Sequence, residues 1–356
     1  MLKQFRKMSR WAAWMLLALA ATLMFSLVGS THPFKNSLRD LAQKRGIDFG
    51  TAVWVEPLSQ DSTYRKVLAR EFNMVTPENE MKFGPLHPER DRYDFTAADK
   101  LVDFAKEHDM EVRGHTLVWH ESLPDWLTSR EWAYEELMTI LRGHIEQVVG
   151  HYKGQLVDWD VVNEAIADDK QALRDTMWLK VIGPEYIEKA FRWAHEVDPK
   201  ARLFYNDYGG EEVGGKSDAI YEMVKDLLKQ GVPIHGVGLQ MHVNIKNPPN
   251  PEKVAANIKR LNDLGLAVQI TEMDVRTWDA TGTPKQKLAA QAEVYRNMMQ
   301  VCLAAKNCNA FLLWGVSDRY SWVPRILKKA DAPLIFDASY RAKPAYNVLK
   351  EVLKER

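Results

Sequence analysis

Cysteine is nearly absent from this 356-residue chain, which has only Cys302 and Cys308. A zinc site needs further cysteine or histidine ligands at short spacing, and none lies near this pair. In an exported chain two such cysteines favour a disulfide closing a small loop over a metal pair. An excess of either charge is also missing, since 48 Lys and Arg balance 48 Asp and Glu. Without a basic surplus there is no support for a nucleic-acid partner. No Ser-, Pro- or Gly-rich linker divides the chain, and no second alternation pattern appears. One large domain is therefore expected, a size at which α/β barrels run undivided.

Long hydrophobic runs are missing too, with one exception. Lys3, Arg6, Lys7 and Arg10 precede an uncharged apolar run from Trp11 to Val28. This is a positive n-region followed by an h-region. The run is longer than most h-regions and stands at the lower limit for crossing a bilayer. Val28-Gly29-Ser30 offers small residues for cleavage, but no A-x-A is present. Residues 1–30 are read as a signal peptide or as an N-terminal membrane anchor, with the tether in residues 11–28 and the basic end in the cytoplasm. Either way the remainder, 31–356, is exported: periplasmic, secreted or membrane-tethered.

What the chain has in quantity is apolar and aromatic side chains: 46% hydrophobic residues and twelve tryptophans. That is enough for a substantial core. Indole rings also stack on the apolar faces of sugars, so the surplus leans toward carbohydrate. After residue 35, strand-like and helix-like runs alternate. Strands are expected at 49–53, 72–76, 111–120, 158–165, 202–208, 236–243, 266–274 and 309–315. Helices are expected near 94–109, 132–149 and 285–305, at 220–228 up to Gly231, between Pro251 and Gly265, and from Pro344. In the sixth strand a period of two puts Gln240 and His242 on one face, with Leu239 and Met241 on the other.

Eight strand–helix units make a (β/α)8 barrel, a TIM barrel of α/β class. Glu78, Asn79, His115, Asn163, Glu164, Asn206, Asp207, Gln240, His242, Glu272 and Trp314 all fall at or just beyond C-terminal strand ends. In a barrel those ends converge on one rim, where the chemistry is done. A lone strand-end glutamate is usually a solvated loop residue. Two of them, Glu164 and Glu272, far apart in sequence, suit a reaction that needs one acid and one nucleophile.

Four stretches carry a family resemblance: Asp160-Val161-Val162-Asn163-Glu164-Ala165, Ile270-Thr271-Glu272-Met273-Asp274, Gly114-His115-Thr116-Leu117-Val118-Trp119-His120 and Trp314 to Trp322. Together, in their order along the chain and at their spacing, they resemble the motifs of glycoside hydrolase family ten, over about Asp48 to Leu353. The resemblance implies an endo-β-1,4-xylanase acting on xylan or xylo-oligosaccharides by a retaining double displacement. It makes Glu272 the nucleophile and Glu164 the acid/base. That chemistry requires carboxyl groups roughly 5–5.5 Å apart, with Glu164 protonated when Glu272 is ionised. Asn163 is implied as donor to the sugar 2-hydroxyl. His242 is implied to contact the nucleophile and Asp274 to orient that histidine.

By the same resemblance Glu78, Asn79, Lys82, His115, Trp119 and Gln240 grip sugars on the non-reducing side. Trp314 and Trp322 cage them, and Tyr208 is a platform on the leaving-group side. Cys302 and Cys308 match a disulfide common in the family. No cofactor or metal is implied, no separate binding module is visible, and a monomer is expected. The chain departs from the family pattern at Phe83-Gly84, at Glu121-Ser122 and at Gly209, all expected on the substrate-contacting rim. Two rival readings fare worse. A metal-dependent barrel hydrolase using His115, His120 and His242 lacks a His-x-His pair and leaves both glutamates idle. A carbohydrate-binding relic has no need of both carboxylates.

Overall fold

The computed structural model describes residues 34–169 and 171–355. The segment 1–30, expected to direct export, lies outside the described residues. Among those described, no helix is long and apolar enough to cross a membrane. Ser37 to the C-terminus forms one unit, built on nine strands: β1 (Asp48–Val53), β2 (Met74–Pro77), β3 (Glu111–Val118), β4 (Asp158–Asn163), β5 (Arg202–Asp207), β6 (Gly236–Leu239), β7 (His242–Asn244), β8 (Ala267–Arg276) and β9 (Cys308–Leu313).

All neighbours in the sheet are parallel. β1 pairs with both β2 and β9, while β6 pairs with β8 as well as β5, so the sheet closes on itself. The nine strands are eight staves, because β6 and β7 are the two halves of the sixth. Every residue of β4 and all but the ends of β8 are buried, as expected for strands covered on both faces. The covering helices are amphipathic. The helix Glu185–Val197, for example, turns Tyr186, Ile187, Ala190, Phe191, Trp193 and Ala194 inward. Their starts carry local signals: Thr283 and Gln286 form a reciprocal capping box before the helix Pro284–Ala304, and Asn250 caps the helix opened by Pro251. The terminal helices Leu38–Lys44 and Pro344–Lys354 pack together, the latter also against Pro284–Ala304.

Two expectations need correction. The sixth strand does not alternate through to Val243. It breaks after Leu239, and Met241 adopts a left-handed conformation (φ 67°) before β7 begins. Alternation in the sequence could not reveal a backbone that leaves the pleat. Phe83 is not on the rim either. It is buried, with its ring stacked 3.7 Å from that of His144 and 5.4 Å from that of His87. Cys302, at the end of one helix, and Cys308, the first residue of β9, are joined as a disulfide.

The barrel interior is partly charged. Arg113, Asp158, Asp160 and Gln269 are almost completely buried. Arg113 donates through Nε to Asp160 Oδ2 at 3.1 Å and through Nη2 to its other oxygen. It also donates to Gln269, and its guanidinium lies 4.6 Å from the centre of the Phe204 ring. Asp158 accepts from Arg202 at 2.6 and 2.9 Å. Buried charges are tolerable only when paired and hydrogen-bonded in this way. Burial alone would raise the Asp160 pKa, but Arg113 and His115 outweigh it and hold the carboxyl below its ordinary value.

Candidate active site

At the C-terminal ends of the strands lies a cleft of about 720 Å³. It is lined by Glu78, Asn79, Lys82, His115, Trp119, Asn163, Glu164, Tyr208, Gln240, His242, Glu272, Trp314 and Trp322, residues drawn from loops and strands spread over the chain. Asp274 is fully buried behind it.

Glu164 follows the last residue of β4 in a left-handed conformation (φ 57°), which a non-glycine residue rarely adopts outside functional sites. Its backbone N–H donates to Asn206 O at 2.9 Å. The side chain is held by neutral donors only: Trp119 Nε1 reaches Oε2 at 2.8 Å, and Gln240 Nε2 reaches Oε1 at 3.0 Å. Arg174 braces the same turn from below, donating to the carbonyl oxygens of Glu164 at 2.9 Å and of Ile166 at 3.1 Å.

Glu272 sits within β8 and is held differently. Asn206 Nδ2 donates to Oε1 at 2.7 Å, and His242 Nε2 lies 3.1 Å from Oε2. His115 Nδ1 is 4.0 Å away. Burial would raise the Glu272 pKa, but the His242 hydrogen bond and the charges of His115 and His242 lower it overall. On its other side His242 Nδ1 meets Asp274 Oδ2 at 2.9 Å, and that same oxygen accepts from Trp322 Nε1 at 2.6 Å. Burial disfavours the imidazolium, yet Asp274 and Glu272 dominate and push the His242 pKa up to about 10. A cation therefore stands between two carboxylates at neutral pH.

A string of amides connects the two glutamates. Gln240 Nε2 donates to Glu164 and, at 3.3 Å, to Asn163 Oδ1; that oxygen also accepts from Asn206 Nδ2 at 2.9 Å. Thr271 Oγ1 fixes Asn206 in turn at 2.7 Å. With its oxygen taken twice, Asn163 has only its NH2 to offer a ligand. Further along the cleft, Lys82 Nζ reaches Asn79 Oδ1 at 3.1 Å and lies 5.0 Å from the Trp119 ring. Burial lowers the Lys82 pKa, opposed by Glu272, Glu78 and Glu164. At the other end Tyr208 Oη donates to Asp168 Oδ2 at 2.7 Å, and Lys216 lies 3.9 Å from its ring centre.

This arrangement sits in a chain whose residues 37–352 match the family model described as Glycosyl hydrolase family 10. The chain belongs to that family. It is 45% identical over 341 residues to Endo-1,4-beta-xylanase B of Thermotoga neapolitana, covering 94% of this chain and 97% of that one. Native xylanase 10B of Thermotoga maritima superposes with a TM-score of 0.87 at 49% identity, over 89% of this chain and 98% of its own. Xylanase 10B of Thermotoga petrophila, solved in complex with xylobiose, gives a TM-score of 0.87 at 48% identity, over 89% and 97%. As a member of family 10, this chain is a glycoside hydrolase with the (β/α)8 fold.

The cleft of this family 10 hydrolase also contains residues that sequence reasoning passed over. Asp168, Arg174, Arg276, Arg325 and Ile326 line it. Arg325, in the short helix Trp322–Leu327, pairs with Glu78 at 2.6 Å from nearly 250 positions away, which no local motif signals. Among the rim departures, Gly84 and Ser122 belong together: Gly84 N donates to Ser122 O at 2.8 Å, and a Cβ on Gly84 would stand 2.7 Å from that oxygen. Glu121, next to Ser122, is exposed and faces the cleft.

Proposed function

We propose that this hydrolase is an endo-β-1,4-xylanase that cleaves internal bonds of xylan or xylo-oligosaccharides with retention of configuration. The observation that carries the mechanism is the asymmetry of the two carboxylates. Glu164 is held by two neutral donors, whereas Glu272 is held by an imidazolium and an amide. The second environment lowers the Glu272 pKa and suits a group that must stay ionised, while the first orients Glu164 without an ion pair to its carboxylate.

In the first step Glu272 attacks the anomeric carbon and forms an ester, while the glycosidic C–O bond breaks and the departing oxygen takes the Glu164 proton. In the second, Glu164 removes a proton from water, the water oxygen bonds to the anomeric carbon, and the ester bond breaks to free Glu272. Charge on Glu272 disappears in the intermediate, which lets Glu164 act as acid first and base second. The Asn163 NH2 is assigned to the sugar 2-hydroxyl, where a hydrogen bond strengthens in the transition state. Lys82, Asn79, Glu78, His115, Trp119 and Gln240 are assigned to the non-reducing-side sugars, Trp314 and Trp322 to their faces, and Tyr208 to the leaving-group side. Substrate choice follows the relatives named xylanase, one of them holding xylobiose.

The test is product analysis on xylohexaose by NMR, wild type beside Glu272→Ala. The expected result is xylobiose and xylotriose released first as β-anomers, with the variant inactive. α-Anomers appearing first would overturn retention, and intact xylohexaose would overturn the substrate. Export through residues 1–30 is part of the same proposal. Activity found in the cytoplasmic fraction, instead of the exported or membrane fraction, would refute it.

A further inference from the structure

We propose that Glu211 is a positioning residue for both carboxylates: it holds the left-handed break in the sixth stave from which Gln240 reaches Glu164 and His242 reaches Glu272. The inference rests on the roles just assigned to those two glutamates.

Up to Gln240 the stave is regular. Gln240 N–H donates to Asp207 O and its carbonyl accepts from Glu272 N–H, both at 3.0 Å. At Met241 the backbone turns to φ 67°, although this residue is a buried methionine and not a glycine. Its N–H leaves the ladder, and a buried N–H needs another acceptor. Glu211 Oε1 supplies it at 3.1 Å. The same oxygen accepts from Gly209 N–H at 3.2 Å, directly after Tyr208, where the chain is again left-handed (φ 68°). One carboxylate therefore fixes two adjoining backbone turns, one after β5 and one after β6.

Glu211 is only 8% exposed and, among the described residues, forms no ion pair. Burial raises its pKa, against backbone N–H donors and the nearby charge of His242, which favour the ionised form. A buried carboxylate without a cation is costly and persists where backbone donors satisfy it. Its own loop is anchored from outside the barrel: Asn257 Nδ2, on the helix Pro251–Asp263, donates to Gly210 O at 2.8 Å and Glu211 O at 3.1 Å. The carboxylate thus transmits a rigid position from the outer layer to the break. From that break two side chains diverge, Gln240 to Glu164 at 3.0 Å and His242 to Glu272 at 3.1 Å.

The test measures kcat and KM on xylohexaose for Glu211→Ala, Glu211→Gln and Glu211→Asp, each checked by circular dichroism and thermal unfolding. Glutamine keeps an acceptor oxygen at the same reach without the charge, whereas aspartate keeps the charge but is too short. The expected result is kcat lowered about 100-fold in Glu211→Ala, as for a small misplacement of catalytic groups, with KM nearly unchanged. Glu211→Asp is also impaired, and Glu211→Gln is close to wild type. A folded Glu211→Ala with wild-type kcat overturns the proposal. So does an active aspartate variant beside an impaired glutamine variant, which would make the charge and not the reach decisive. If Glu211→Ala fails to fold, the contrast between glutamine and aspartate decides. A crystal structure of Glu211→Asp supplies a readout independent of substrate. If Gln240 and His242 keep their contacts to Glu164 and Glu272 there, the proposal fails, whatever sugar the enzyme cleaves.

Discussion

Replacing His242 by glutamine removes a cation shared by two buried carboxylates, and its effect can be worked out before it is measured. The ring bridges Glu272 Oε2 at 3.1 Å and Asp274 Oδ2 at 2.9 Å, and Asp274 is completely buried. Removing one partner of such a cluster costs about 3–5 kcal/mol. Linkage gives the same order: a histidine raised from its ordinary value of 6.5 to about 10 contributes on the order of 5 kcal/mol. The sign follows from the direction of the shift. A raised pKa means that the stabilisation is complete below the unfolded-state value of 6.5 and is lost as pH climbs through the folded-state value near 10. Urea unfolding of wild type and His242→Gln near pH 6 should differ by about 3 kcal/mol, and the gap should close as the pH approaches 10. Activity supplies a second readout. His242 is a main cause of the lowered Glu272 pKa, so without it the acid limb of kcat/KM should move to higher pH. A stability gap independent of pH, together with an unmoved acid limb, would show that the ring is neutral in the folded enzyme and refute the reasoning.

Glu164→Ala should lose roughly 10²–10⁴-fold in rate on xylo-oligosaccharides, the usual worth of a general acid. It should lose far less on an aryl xylobioside whose phenol leaves without protonation; equal losses on the two substrates would remove Glu164 from the acid role. Gly238→Ala tests the wall behind Glu272. A Cβ there would lie 2.2 Å from Asn206 Oδ1 and 2.8 Å from Thr271 Cγ2, so overpacking should cost about 1–3 kcal/mol. It should also lower kcat, because Asn206 holds Glu272 Oε1. Unchanged thermal unfolding and kcat would mean that this wall yields freely.

The eight staves were legible because buried parallel strands are short apolar runs, and all but the first led to a polar or tryptophan residue that the barrel delivers to one rim. The two glutamates and the sugar-binding residues proposed from the sequence do line the cleft, since those positions sit in contiguous motifs, whereas Phe83, expected on the rim, is buried. The illegible part acts through space. Asn206 was seen only as a strand-end residue, yet it bonds both Asn163 and Glu272. Arg325 and Glu211 have partners far off in sequence, Arg174 binds across its own loop, and nothing local distinguishes the three from solvated charges. The broken sixth stave was illegible for another reason. Its alternation of side chains is genuine, but periodicity reports side-chain polarity and not φ.

Glu164 and Glu272 both belong to the same rim, one just past β4 and the other within β8, so rim position alone does not separate their roles. Their difference comes from what the interior stacks beneath each. Below Glu272 a column of charge runs inward from His115 to Asp160, 3.0 Å apart, and on to Arg113. Asp160 by itself would raise the Glu272 pKa; this is one of the opposing influences on that group. Because Arg113 forks onto both oxygens of Asp160, the aspartate can hold His115 in place with its charge largely compensated. His115 and His242 are then left to dominate the field at Glu272. Glu164 has no such column. Its carboxylate is held by an indole and a carboxamide, while the Arg174 guanidinium bonds the backbone carbonyl of the same residue and not its carboxylate. A buried arginine looks like an error in an apolar core, but Arg113 explains itself once Asp160, His115 and the Glu272 carboxylate beyond them are taken into account.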